Sequence, residues 1–172
     1  MAHAPIIEQI LTAVRQGMCE ARARCPESEL RQMASDAPPV RSFRAALASP
    51  FGLIAEIKSR SPSMGEMRAA NVIEAPSVYQ ASPWVRALSI LTNASHFGMS
   101  MDRLREIRGR VSKPVLRKDF ILEPYQVWEA RAHGADAILL MSQVLEPDTI
   151  RELRDLAGEL GMDALVECHT RE

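Results

Sequence analysis

Four charged side chains stand where a buried apolar strand has no use for charge. Glu56 and Lys58 lie two residues apart in the run Leu53–Lys58, so an extended backbone points both to the same side. Lys118 ends the run Pro114–Lys118, and Glu167 ends Ala164–Glu167. A lysine ammonium donates a proton to a carbonyl oxygen or holds an anion, and a carboxylate takes a proton. Two of each at matching strand ends suit acid–base chemistry on a small anionic molecule. Taken singly, each charge could equally cap a strand in solvent; as a set they point to a site. Arg117 alternates to the side opposite Lys118, which makes it a helix-facing or rim residue.

The elements that must position these groups are legible around them. The runs Leu53–Lys58, Ala87–Leu91, Pro114–Lys118, Ala135–Met141 and Ala164–Glu167 are short and nearly all apolar, as strands covered on both faces are. Between them lie helix signals. Ser100 to Arg110 sets Met101, Leu104, Ile107 and Arg108 at helical steps. Glu123-Pro124 opens another helix with proline at its first position, and Gly134 closes it. Glu146-Pro147-Asp148 opens a third, with Ile150, Leu153, Leu156 and Leu160 on one face before Gly161. Alternating strands and helices predict parallel pairing through βαβ units. All four charges then fall at the carboxyl ends of strands, where α/β folds build their sites. Upstream, Ile6, Ile7, Ile10, Leu11 and Val14 predict an amphipathic helix over 6–23. Pro26 and Pro38-Pro39 interrupt it, with a short helix from Glu27 to Met33 between them. The chain divides into an N-terminal helical extension, 1–50, and a βα part, 51–172.

The strands begin near 53, 86, 115, 136 and 163, a mean repeat of about 27.5 residues. An open doubly wound sheet and a closed (β/α)8 barrel both use such a repeat. Eight units of this size would need about 100 residues more than the 172 present. The barrel reading is therefore of an incomplete barrel of about five βα units, strands one to five, preceded by an extra helical segment.

Composition bounds the function. Hydrophobic residues are 47% and charged residues 25%, ordinary for a globular domain. A net charge of −1 removes the electrostatic case for binding nucleic acid. No run approaches the ~20 apolar residues of a membrane span. Met1 to Pro5 lacks the basic start of a secretion signal, so a cytoplasmic location is expected. Cys19, Cys25 and Cys168 form no C-x-x-C and read as reduced thiols. His96, His133 and His169 are scattered without metal-ligand spacing, and no G-x-G-x-x-G or Walker pattern occurs. No metal or cofactor is expected. The stretch Ser59 to Gly65 reads as a βα loop with several small hydroxyls, open to a substrate contact or to a plain turn.

These segments together resemble one family. Ile54-Ala55-Glu56-Ile57-Lys58-Ser59-Arg60-Ser61-Pro62-Ser63 resembles the first-strand signature of the indole-3-glycerol phosphate synthases. Leu88-Ser89-Ile90-Leu91-Thr92 with His96-Phe97-Gly98-Met99-Ser100 resembles their second strand and its loop. Pro114-Val115-Leu116-Arg117-Lys118-Asp119-Phe120-Ile121 resembles the third strand, and Ala135 to Leu140 and Leu165-Val166-Glu167 the fourth and fifth. The likeness runs from about residue 43 to 172.

The resemblance implies a (β/α)8 barrel whose N-terminal helical segment lies over the active-site mouth. It implies a carboxy-lyase of tryptophan biosynthesis. The reaction closes the ring of 1-(2-carboxyphenylamino)-1-deoxyribulose 5-phosphate, with loss of CO2 and water and no cofactor. By position, Lys118 corresponds to the general acid of the condensation and Glu167 to the base or proton shuttle of the dehydration. Lys58 corresponds to the cation that holds substrate anions, and Glu56 to a carboxylate partner. Ser61 corresponds to a substrate contact, and Phe97, Phe120 and Leu139 to apolar walls. The family's sixth to eighth strands have no counterpart here, and its phosphate loops belong to them. Two further readings are a catalytically inactive half-barrel remnant and another small phosphate-binding α/β protein. An open parallel sheet is also expected to self-associate through its edges and to leave Leu116 and Leu165 uncovered.

Overall fold

The computed structural model describes residues 6–48, 50–63 and 65–169. Two helices, α1 (Ile6–Arg24) and α2 (Glu27–Asp36), are separated by Pro26, and a single turn and a half follows as α3 (Phe43–Leu47). Then come β1 (Leu53–Ile57), a small hairpin of β2 (Arg60–Ser61) and β3 (Gly65–Glu66), α4 (Ala70–Ala81) and β4 (Val85–Leu91). After these run α5 (Ala94–Phe97), α6 (Met101–Arg110), β5 (Val115–Lys118), α7 (Pro124–Ala132), β6 (Ala137–Met141), α8 (Pro147–Glu159) and β7 (Asp163–Glu167). Ser100 caps α6 through its hydroxyl, and Glu123 and Gln126 form a reciprocal capping box at α7. Gly134 ends α7 at φ 84°, a backbone that a residue with a Cβ rarely adopts.

Five strands pair in the order β1-β4-β5-β6-β7, all parallel, which is their order along the chain. One face of the sheet carries Ile57, Leu88, Ile90, Val115, Ile138 and Leu140. These pack in a single cluster with Leu104 and Ile107 of α6, Val127 and Ala130 of α7 and Leu153 and Ala157 of α8, joined at its margin by Val72 and Tyr79 of α4. All four crossover helices therefore cover the same face. Sequential strands with helices on one side are the connectivity of a (β/α) barrel wall, and a doubly wound sheet would have placed helices on both. The wall does not close among the described residues: β1 and β7 are its edges.

The other, inner face is partly covered by the extension. Phe43 is 3% exposed and packs on Ala87, Leu116, Ala137 and Leu139. The expectation that Leu116 lies uncovered is thus overturned: Phe43 seals it to 1% exposure, whereas Leu165, beyond that ring's reach, stays 36% exposed. A strap over residues 37–44 crosses the amino ends of the strands. It is held by Asp136, wholly buried, which accepts from the backbone N–H of Arg41 (2.8 Å) and of Val115 (2.9 Å). Asp163 accepts from the N–H of Arg44 (2.9 Å), while Arg108 and Arg131 donate to the carbonyls of Pro39 and Ala37.

The rest of the extension lies to one side. Met18, Leu30 and Ala34 share a small core with Tyr125 and Ala132 of α7. Arg22 pairs with Glu123 at 2.5 Å. The helical segment rests against α7, where its apolar stripe meets Tyr125 and Trp128, and α1 also faces Thr92 to Ser95 and Asp119, just past the carboxyl ends of β4 and β5. The helices α3, α4 and α5 and the hairpin were not anticipated from the sequence pattern. Pro76 within α4 and the four- and five-residue lengths of α5 and α3 mask their periodicity.

Candidate active site

Strand register fixes which side chains share the inner face. Glu56 pairs with Ser89, Ser89 with Leu116, Leu91 with Lys118, and Met141 with Glu167. Laterally paired residues of parallel strands point the same way, so Glu56, Lys118 and Glu167 all face inward at or near the carboxyl ends of β1, β5 and β7. Lys58, two residues beyond Glu56, joins them. One strand separates β1 from β5 and one separates β5 from β7. At ~4.8 Å per strand and ~3.3 Å per residue, an offset of two strands and two residues puts Lys118 roughly 12 Å of backbone from Glu56 and from Glu167.

The four are not equivalent. Lys58 Nζ donates to Glu56 Oε1 at 2.5 Å, with both side chains about a third exposed (28% and 35%). Glu167 Oε1 lies 2.8 Å from His169 Nε2. Lys118 is half-buried, and its ammonium has no hydrogen-bond or ion-pair partner among the described residues.

The loops bring further residues to this end. Ser59 at the start of the β2–β3 hairpin donates to the carbonyls of Phe97 (3.1 Å) and Gly98 (3.0 Å). Arg60 clamps the carbonyls of Ala94 and Ser95 at 2.9 and 2.7 Å. The hairpin that carries Ser61 is therefore fastened to the turn that carries Phe97. Gly98 makes this possible: it has φ 66°, and a Cβ there would meet Ser59 Oγ at 2.0 Å. Ser61 is buried, and its hydroxyl is 3.4 Å from that of Ser63. Phe97 and Phe120 are half-buried. Leu139 is 1% exposed under Phe43, so it belongs to the packed layer beneath the charged groups.

Residues flanking Lys118 on the opposite face complete the site's support. Arg117 is buried against α7, as its alternation predicts, and pairs with Glu129 at 2.8 Å. Thr92 donates its hydroxyl to Asp119 Oδ2 at 2.6 Å, a link that nothing in the local sequence pattern signals. Ser89, 3% exposed, also sits on the inner face, with its hydroxyl unpartnered among the described residues. A cleft of about 930 Å³ opens between α1, α2 and α7, and Arg117, Asp119 and Glu129 are among its lining residues. None of Glu56, Lys58, Lys118 or Glu167 lines it. Tyr125 and His133, which line that cleft, have shifted proton affinities: burial, with Glu129 nearby, pushes the Tyr125 hydroxyl up to about 12, and burial pushes His133 below its ordinary value. Among the described residues, no three His, Cys, Asp or Glu side chains converge as metal ligands would, and no helix is long and apolar enough to cross a membrane.

The sequence profile of the family described as indole-3-glycerol phosphate synthase matches residues 7–172. A protein of that name from Saccharopolyspora erythraea is 44% identical over 169 residues, covering 97% of this chain and 62% of the relative. Another from Mycolicibacterium gilvum is 43% identical over 174 residues, covering 100% and 64%. A third, from Mycobacterium tuberculosis, is 41% identical with the same coverage. The chain spans a little under two thirds of the length of these curated relatives.

Proposed function

The chain belongs to the indole-3-glycerol phosphate synthase family, and on that premise we propose that it serves the ring closure of 1-(2-carboxyphenylamino)-1-deoxyribulose 5-phosphate. The observation that carries the reading is the gathering of Glu56, Lys58, Lys118 and Glu167 on one face at the carboxyl end of a barrel-type sheet.

In this reading the ring carbon bearing the carboxylate attacks the ribulose carbonyl, and Lys118 gives its proton to that oxygen. The new C–C bond is followed by cleavage of the C–CO2 bond, which returns the electron pair to the ring. Glu167 then takes a proton from the closed ring and returns one to the departing hydroxyl, so that water leaves. One proton is consumed and CO2 released. Lys58 holds a substrate carboxylate or phosphate in exchange for its bond to Glu56, and the freed Glu56 assists the proton transfers. Ser61 contacts the substrate and Phe97 and Phe120 wall its aromatic ring, while Leu139, expected as a third wall, is sealed under Phe43 and supports the site from beneath. No cofactor enters. The place of work is the cytoplasm, in tryptophan biosynthesis, with a phosphorylated small molecule as partner.

The test joins these 172 residues to the part of the Saccharopolyspora relative that they do not span, and follows the fluorescence of indoleglycerol phosphate formed from the carboxyphenylamino precursor. Turnover well above a vector control supports the reading. A folded fusion with none refutes it.

A further inference from the structure

We propose that Asp119 is a positioning residue for Lys118, acting with Thr92 and Arg117 from the face of β5 opposite the site. The inference rests on the acid role proposed for Lys118, but it concerns how that side chain is held.

Lys118 is the last residue of β5, where a strand loses its ladder and becomes free to twist. Its two neighbours prevent this. Asp119 Oδ2 accepts the Thr92 hydroxyl at 2.6 Å, and Oδ1 accepts the N–H of Phe120 at 2.9 Å. One carboxylate thereby ties the end of β5 to the end of β4 and turns the chain into the next loop. Arg117 ties the same strand outward: Nη1 donates to the Gln126 carbonyl at 2.8 Å, Nε to Thr92 Oγ1 at 3.3 Å, and Nη2 pairs with Glu129 at 2.8 Å and Asp119 at 3.5 Å. Both side chains are nearly sealed from water, at 4% and 7% exposure. Charges buried this far persist only when fully partnered, so the arrangement is stiff. Residues 117 and 119 are thus pinned behind the sheet, and alternation leaves residue 118 a single direction, inward. Thr92 is also followed by Asn93, which caps α5 through His96 N–H at 3.0 Å. The same network therefore sets the turn bearing Phe97 relative to the Lys118 ammonium.

The charged surroundings of Lys118 are few. On the inner face they are Glu56 and Lys58 beyond β4, and Glu167 with His169 beyond β6. The adjacent strands offer only Ser89, Leu91, Leu139 and Met141. Behind it stand Arg117, Asp119 and, from α7, Glu129 and His133.

The chain has only three lysines, Lys58, Lys113 and Lys118, so 13C-dimethylation of the 172-residue chain gives three side-chain NMR signals, assigned by Lys→Arg variants. Thr92→Val removes the hydroxyl at constant volume and charge. It should displace or broaden the Lys118 signal while Lys58 and Lys113 stay in place, and Thr92→Ser should restore it. Asp119→Asn removes one anion behind the strand and one acceptor of the network, and should displace the Lys118 signal with less than half that change at Lys58. If Asp119→Asn fails to fold, the Thr92 pair decides. A Lys118 signal unmoved by Thr92→Val, or three signals that move together, overturns the proposal. A shift confined to Lys118 without turnover in the fusion leaves the positioning standing and removes the reaction.

Discussion

Replacing Lys118 by methionine separates the proposed chemistry from the fold. Methionine keeps most of the stem and removes the ammonium. The ammonium makes no hydrogen bond or ion pair among the described residues, so no partner is orphaned by its loss. Surface-type substitutions without such partners stay within about 0.5 kcal/mol, which for a domain of this size moves Tm by about 1–2 °C. A general acid contributes ~10²–10⁴-fold, or about 2.7–5.4 kcal/mol of barrier. In the fusion described above, Lys118→Met should lower kcat by that factor with Tm nearly fixed, read by indoleglycerol phosphate fluorescence and by calorimetry on one preparation. Wild-type turnover in the variant removes the acid assignment. A fall in turnover accompanied by a Tm loss of 5 °C or more, as a rough limit, shows that the lysine was structural after all.

Phe43→Ala empties the packed layer on the inner face, and a buried Phe→Ala change costs about 3–5 kcal/mol, so Tm should drop by about 6–20 °C; a drop under about 2 °C would show that Leu116 and Leu139 are covered by something else. His133 titrates below its ordinary 6.5, chiefly through burial and despite its bond to the Glu129 carbonyl. The unfolded chain then takes up a proton that the folded ring refuses, so stability present above pH 6.5 is lost as pH falls from there toward the folded value. His133→Gln should flatten that part of the Tm–pH curve, and an unchanged slope contradicts the assignment. The edges β1 and β7 expose Leu53, Ile54, Leu165 and Val166, and the 172-residue chain should associate through them; sedimentation as a single 19.1 kDa species at micromolar concentration counts against it.

The strands were readable because parallel strands of a barrel wall are continuous apolar runs, and Val115, Ile138 and Leu140 obey that rule. The helices α6, α7 and α8 announced themselves by Ser100, Pro124, Pro147 and Gly134, residues whose local preference agrees with the fold. What stayed hidden depends on long-range partners. Phe43 looks like any aromatic until Leu116 is beneath it. The two-residue strands of the hairpin are held by Arg60 and Ser59 reaching the α5 turn, some 35 residues onward. The inward charges at 56, 58, 118 and 167 were legible since each breaks an apolar run. Ser89 breaks one too, but a serine is too common in strands to stand out.

The strap over residues 37–44 has a consequence for how the protein is made. Its anchors are distant in sequence: Arg41 reaches Asp136 across 95 residues, and Arg44 reaches Asp163 across 119. A ribosome adds ~5–20 residues per second, so roughly 6–24 s pass between synthesis of Arg44 and of its acceptor. During that interval Phe43 has no ring of strands to enter, and the growing wall presents Ala87 and Leu116 unshielded. Docking of the strap is therefore a late event, waiting on β6 and β7, and loop closure over such spans is slow compared with pairing of neighbouring strands. The nascent chain passes through a stage in which its earliest residues are finished but idle, and that stage is the one in which a chaperone has most to shield.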